Sequence, residues 1–236
     1  MRKSIVTMLA ITGFMSAAAF GAEREAKVDD RLDASAETLT DMMMASDHGI
    51  PQDLLDKSRC IIVVPAMKKA GFIIGAKYGR GFAVCRREGG MGWTAPAGMR
   101  VEGGSVGFQI GASDTDIVLL VMNEGGMRRL ESDKFTLGGE ATAAAGPVGR
   151  DVAAQTDALM KAEMLSYSRS RGLFAGISLE GATLRPDEDT NKELYGHNTT
   201  NREILNGDFK TPAAASKFER ALNRESPKTG DSARNR

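Results

Sequence analysis

Gly103-Gly104-Ser105-Val106-Gly107 has the Gly-x-Ser-x-Gly spacing that presents a nucleophilic serine in hydrolases, and His197 follows in the order a triad needs. That serine must sit on a sharp turn between a strand and a helix. Here Phe108-Gln109-Ile110-Gly111 alternates as a strand does, and Glu102-Gly103-Gly104 reads as the turn. The context is inverted, and Ser105 is the weaker reading. Asp187-x-Asp189-x-Asn191 imitates the start of a calcium loop. Its sixth position is Lys192 and its twelfth Asn198, where such loops need Gly and a bidentate Glu, so it reads as a helix start. No Gly-Lys-Ser/Thr stands ready for phosphate, and two histidines make a poor zinc set. The expectation is a protein that is not an enzyme, with no cofactor and no metal.

Basic residues cluster in pairs: Lys68-Lys69, Lys77 with Arg80, Arg86-Arg87, Arg128-Arg129, and Arg169 with Arg171. Several fall at expected turns of one β-rich region, where they could share a rim. Each Lys or Arg held near an anionic membrane contributes on the order of 1 kcal/mol. Lys68, Lys69, Lys77, Arg80, Arg169 and Arg171 are therefore the candidate lipid-headgroup contacts. Overall the chain is balanced, with 31 basic and 31 acidic residues, and 6% of it is aromatic. A nucleic-acid surface needs a basic excess and stacking rings, so nucleic acid is not an expected partner.

Residues 1–21 read as a cleavable signal peptide. Arg2 and Lys3 precede an apolar run from Ile5 to Phe14, and Ala19-Phe20-Gly21 fits a small-x-small cleavage site. The expected location is the periplasm. In that compartment Cys60 and Cys85 form either a disulfide or two separate buried thiols, with the even count favouring the bond.

The elements that must position these residues come in three blocks. A helix capped by Asp29 or Asp30 is expected to run to about Ser46, with Leu32, Ala36, Leu39 and Met43 on one face; Pro51 opens a short second helix to about Lys57. Strands follow at Cys60–Val64, Gly71–Lys77 and Gly81–Arg87, the last two joined by Tyr78-Gly79-Arg80 as a hairpin. Trp93–Val101, Ser105–Gly111 and Asp116–Met122 read as further strands. Glycines recur inside them, marking bulges or close backbone approach. Gly125–Glu131 reads as a helical turn and Ala153–Leu165 as helix. Leu173–Leu184 alternates and ends in a turn at Arg185-Pro186. Thr200 and Glu203 form a capping box, and Thr211-Pro212 starts a last helix carrying Ala214, Phe218 and Leu222. Residues 225–236 are polar and expected to be disordered. The fold class is α+β: a curved, mainly antiparallel, barrel-like sheet flanked by N- and C-terminal helices.

The order of several segments resembles the SYLF domain family. They are Cys60-Ile-Ile-Val-Val-Pro65, Ala70-Gly71-Phe72 through Gly81, Trp93-Thr-Ala-Pro96, Gly103–Gly111, Gly146-Pro-Val-Gly149, Tyr167–Gly181, and Asn191 to Gly196. The match spans residues 29–222. This resemblance implies a lipid-binding module without established catalytic residues. Its eukaryotic members bind phosphoinositide membranes and some bundle actin. An amphipathic N-terminal segment has been associated with membrane contact there; the corresponding helix here is acidic on its polar face, with Asp33, Glu37 and Asp41. The expected function is non-enzymatic binding of anionic phospholipid or an acyl-containing envelope component, with export setting actin aside. The alternative is an envelope structural module with a protein partner.

Overall fold

The computed structural model describes residues 27–45, 49–71, 74–87, 92–106, 111–138, 143–147, 162–170, 173–176, 179 and 181–227. The signal-peptide segment, Arg171 and residues 228–236 lie outside them.

Helix α1 is described over residues 27–44. Val28, Leu32, Ala36, Leu39 and Met42 recur every three or four residues and are all buried. The stripe thus starts at Val28, one turn before Leu32 and ahead of the expected Asp29/Asp30 cap, and Met42 rather than Met43 is its last fully buried member. Gly49 donates its N–H to the Ala45 carbonyl at 2.7 Å. A Cβ at Gly49 would lie 2.6 Å from the Met42 carbonyl oxygen. Pro51 then precedes α2 (Gln52–Lys57), as its fixed φ favours, and Leu54 and Leu55 point into the core.

The sheet contains β1 (Cys60–Gly71), β2 (Ile74–Cys85), β3 (Ala97–Val106), β4 (Gly111–Val121), β5 (Phe135–Thr136), β6 (Ala144–Ala145), β7 (Met164–Ser170), β8 (Leu173–Gly176) and β9 (Thr183–Pro186). Its order is β5-β9-β3-β2-β1-β4-β7-β6, with β8 also on β7. All pairings are antiparallel except β6 with β7. Helix α3 (Glu124–Leu130) follows β4. After β9 come α4 (Glu188–Tyr195), α5 (Asn201–Asn206), a 3-10 turn at Ala213–Ala215 and α6 (Ser216–Glu225).

Successive residues of a strand point to opposite faces, and here both faces of the central strands are buried. Ile61, Val63, Phe82, Val84, Val118 and Leu120 pack on one face under α1, α2 and α6. Ile62, Val64, Ala83, Ile117, Leu119 and Val121 pack on the other. That second cluster also takes Leu184 and Phe135 from one flank of the sheet and Met164 from the other. The sheet therefore curls around it as an open half-barrel, the curved α+β architecture expected.

The expected hairpin at Tyr78-Gly79-Arg80 is corrected: those residues lie inside β2, and the β1–β2 turn falls between Gly71 and Gly75. The glycines answer a bulge in β1 instead. Register shifts between Val64 and Met67 against β4, and between Val63 and Lys68 against β2. Ala66 takes a left-handed φ of 45° there, and its N–H reaches Asp116 Oδ1 at 2.9 Å. Across from the bulge, a Cβ at Gly81 would lie 1.9 Å from the Val63 carbonyl oxygen. Gly81→Ala should therefore destabilise the fold by about 2 kcal/mol through overpacking against backbone, read as a lower denaturation midpoint. An unchanged midpoint would show that the bulge relaxes freely.

Other boundaries also differ. Arg185 and Pro186 pair with Arg100 and Met99 inside β9 rather than turning. Met164 and Leu165 belong to β7, so the expected helix at 153–165 does not reach its end; residues 153–161 lie outside the described set. The polar tail starts later than residue 225: Glu225 closes α6, and Ser226 is buried, with its hydroxyl bonded to Asp56 at 2.6 Å. The Thr200–Glu203 capping box forms with both reciprocal hydrogen bonds.

Candidate lipid-headgroup site

A disulfide anchors the two strands that carry all three candidate lysines. Cys60 and Cys85 are register partners at one end of the β1–β2 pair and form a disulfide, with Cα atoms 3.9 Å apart.

At the other end of the same pair, Lys69 of β1 stands directly opposite Lys77 of β2. Both belong to the inner face, one step beyond Met67. Their neighbours across the sheet are Ser113 on β4 and Gly103 on β3. Neither lysine has a carboxylate partner among the described residues. Opposed like charges are unfavourable on a sheet. Burial and the Lys69 charge together hold the Lys77 ammonium below the usual lysine range. An anion between them would relieve both costs.

The remaining candidates are placed differently. Lys68 turns to the outer face and meets Asp114 at 3.0 Å, an exposed pair. Such pairs contribute about 0–1 kcal/mol, so Lys68 stays available to a stronger anion. Arg80 also faces outward but is committed. Its Nε and Nη2 donate to the two carboxylate oxygens of Asp187 at 2.6 and 2.7 Å. Asp187 is 2% exposed and also accepts from the Thr190 hydroxyl at 2.8 Å. Burial alone would raise the Asp187 carboxyl. Hydrogen bonds from Arg80 and Thr190, with the charges of Arg80 and Arg100, outweigh it and hold the group below the ordinary carboxylate value. Arg169 bridges Asp41 of α1 at 2.6 Å and Asp116 of β4 at 3.2 Å, tying helix to sheet. The five described candidates thus do not share one rim. The structure brings Lys68, Lys69 and Lys77 together, uses Arg80 and Arg169 as clasps, and does not describe Arg171.

Two other motifs resolve as architecture. Asp187 precedes α4, as the reading of a helix start expects, and the buried Asn191 continues the clasp. Asn191 Oδ1 accepts the Gly98 N–H at 2.7 Å, and its amide donates to Asn201 Oδ1 at 2.6 Å; Asn201 in turn donates to the Gly98 carbonyl at 3.0 Å. Ser105 lies inside β3 with its backbone opposite Gly75, and residues 107–110, where the helix of an elbow would begin, lie outside the described residues. His197 is exposed on the segment after α4, its Nδ1 2.8 Å from the Tyr195 carbonyl.

One residue escaped the reading of charge pairs. Tyr78 is 45% exposed and stands opposite Lys68 on the outer face. Its signal lay in the uncharged run that ends at Lys77, obscured by the glycine beside it.

The family model described as "Ysc84: Las17-binding protein actin regulator" matches residues 102–225. The chain belongs to this SYLF, or Ysc84, family. An SH3 domain-containing protein of Schizosaccharomyces pombe is 38% identical over 74% of this chain and 41% of its own length. Protein YSC84 of Saccharomyces cerevisiae is 33% identical over 76% of this chain and 39% of its own. The SH3 domain-containing YSC84-like protein 1 of Xenopus laevis is 35% identical, covering 75% and 52% respectively. The chain thus spans about half, or less, of the curated relatives it matches. Within the SYLF family match, β3 onward supplies Asp187, Asn191, Asn201 and Arg169, the residues that clasp helices to the sheet.

Proposed function

We propose that this SYLF chain is a non-enzymatic protein of the periplasm that binds anionic phospholipid, or an acyl-bearing envelope component with an anionic head. The observation that carries it is the opposed pair Lys69–Lys77 at the end of β1–β2, without a carboxylate partner among the described residues and with Lys68 alongside. Two ammonium groups at one register position suit a phosphate, whose oxygens accept from both. The family resemblance supports the same reading. The relatives' names point to actin regulation and Las17 binding, but they belong to proteins at least about twice as long as the matched part, and export would separate this chain from actin.

Co-sedimentation with vesicles tests the proposal. Mature protein should bind phosphatidylcholine vesicles that contain phosphatidylglycerol and ignore phosphatidylcholine alone. Lys69→Gln with Lys77→Gln should weaken that binding roughly 30-fold, from about 1 kcal/mol per lysine. Binding indifferent to lipid charge and to both substitutions would defeat the headgroup site.

A further inference from the structure

The ends of β1–β4 carry more than a lysine pair. Beyond Lys69 and Lys77, register partners run across four strands: Ala112, Ala70, Ala76 and Gly104 in one row, then Gly111, Gly71, Gly75 and Ser105 in the next. Between Lys69 and Lys77, and again between Glu102 and Asp114, the sequence holds no ionisable side chain, in a chain where 26% of residues are charged. Both runs contain phenylalanine and isoleucine. Charge resumes abruptly one step back from this edge. Lys69 and Lys77 come first, then Lys68 paired with Asp114, and Tyr78 beside Lys68. Lysine and tyrosine behind an uncharged margin is the distribution found where protein crosses from headgroups into acyl chains. Lys77 lies three residue steps from Ile74 at the end of β2. At about 3.3 Å per residue this is roughly 10 Å, comparable to the depth of an interfacial element.

We infer that this end of the sheet is a membrane-insertion edge. The ends of β1–β4 enter the headgroup–acyl boundary of a bilayer containing anionic phospholipid, Lys69 and Lys77 hold lipid phosphates, and Tyr78 lies at the same level. The inference rests on the lipid-binding reading and adds penetration to it. A bilayer fits this edge better than a protein partner: the lysines supply complementary charge for phosphate, while the uncharged rows offer no side-chain charge with which to specify a protein surface.

Site-specific fluorescence separates the two ideas. Ala76→Cys and Gly104→Cys place thiols on exposed positions of the edge. A Cβ at Gly104 has no neighbour closer than the Gly75 oxygen at 4.0 Å, so that variant keeps its backbone. Glu124→Cys, just past the opposite end of β4, is the reference. With Cys60 and Cys85 bonded to each other, an environment-sensitive label reacts at the introduced thiol. Vesicles of phosphatidylcholine and phosphatidylglycerol should shift the emission of labels at 76 and 104 to the blue and shield them from iodide, leaving the label at 124 unchanged. Co-sedimentation without a shift at 76 and 104 would overturn insertion and leave the headgroup site standing. Failure to co-sediment would overturn both.

Discussion

Arg80→Ala should lower the folding free energy by about 3 kcal/mol, the lower end of the cost of removing one partner of a buried ion pair. Asp187 is 2% exposed, whereas Arg80 keeps 30% exposure, which places the effect at that end. Removing the guanidinium leaves the carboxylate in the interior with the Thr190 hydroxyl as its remaining close side-chain donor among the described residues. Asp187→Ala harms the fold by another route. It exposes Arg31, Arg80 and Arg100 to one another; Arg31 is already held below the usual arginine value by burial and by the Arg80 charge. Arg80→Lys should recover part of the loss, because it restores charge without the two-pronged geometry. The double variant should cost less than the sum of the two single ones. The pH dependence has a definite sign. Asp187 has a folded value below its unfolded 3.8, so its contribution is complete above that value and is lost as pH falls through the lower folded one. Arg80→Ala should flatten that acid limb. Denaturant midpoints across this pH range are the measurement; equal midpoints for wild type and Arg80→Ala would refute the clasp. Vesicle affinity of folded Arg80→Ala should stay near wild type, in contrast to the loss at Lys69 and Lys77.

Period and composition carry most of this architecture. The β-branched run from Cys60 to Val64 announces a strand covered on both faces, and the interior glycines announce close backbone approach. Both are found. The expected hairpin at Tyr78-Gly79-Arg80 fails, because that tripeptide offers the same local chemistry to a turn as to a strand opposite a bulge. What decides between them is β1, supplied from outside the local sequence: a Cβ at Gly79 would lie 2.7 Å from Val64 Cγ1 and 2.9 Å from Met67 Cγ. The candidate site shows the same division. That Lys69 and Lys77 flank an uncharged run is visible in order. That Arg80 and Arg169 are consumed by carboxylates is not, since their partners Asp187 and Asp116 lie 107 and 53 residues away along the chain. A basic residue in isolation reads as available; its partner becomes visible only once the strands are paired.

Cys60→Ala with Cys85→Ala should lower stability by about 3 kcal/mol, and the thermal midpoint by about 6–12 °C for a chain of this size. The disulfide closes a loop with a sequence separation of 25, which includes the bulge, the β1–β2 turn and both lysines of the candidate site. Restricting that loop in the unfolded chain is the larger part of its effect. Loss of two buried sulfur atoms beside Ile62, Ala83 and Val121 adds packing cost in the same direction. The register of β1 on β2 does not depend on the bond alone. The β1 bulge and the apolar pairs Ile61–Val84 and Val63–Phe82 also specify it, since slipping by one residue would turn both strands inside out. Lys69 should therefore still face Lys77 in the folded variant. Vesicle binding well below the lowered midpoint should match wild type, while heating abolishes it earlier. Calorimetry with and without vesicles measures both. An unchanged midpoint would show that the loop is already restricted without the bond, and lost binding at low temperature would show that the disulfide, rather than the bulge, sets the spacing of the lysines.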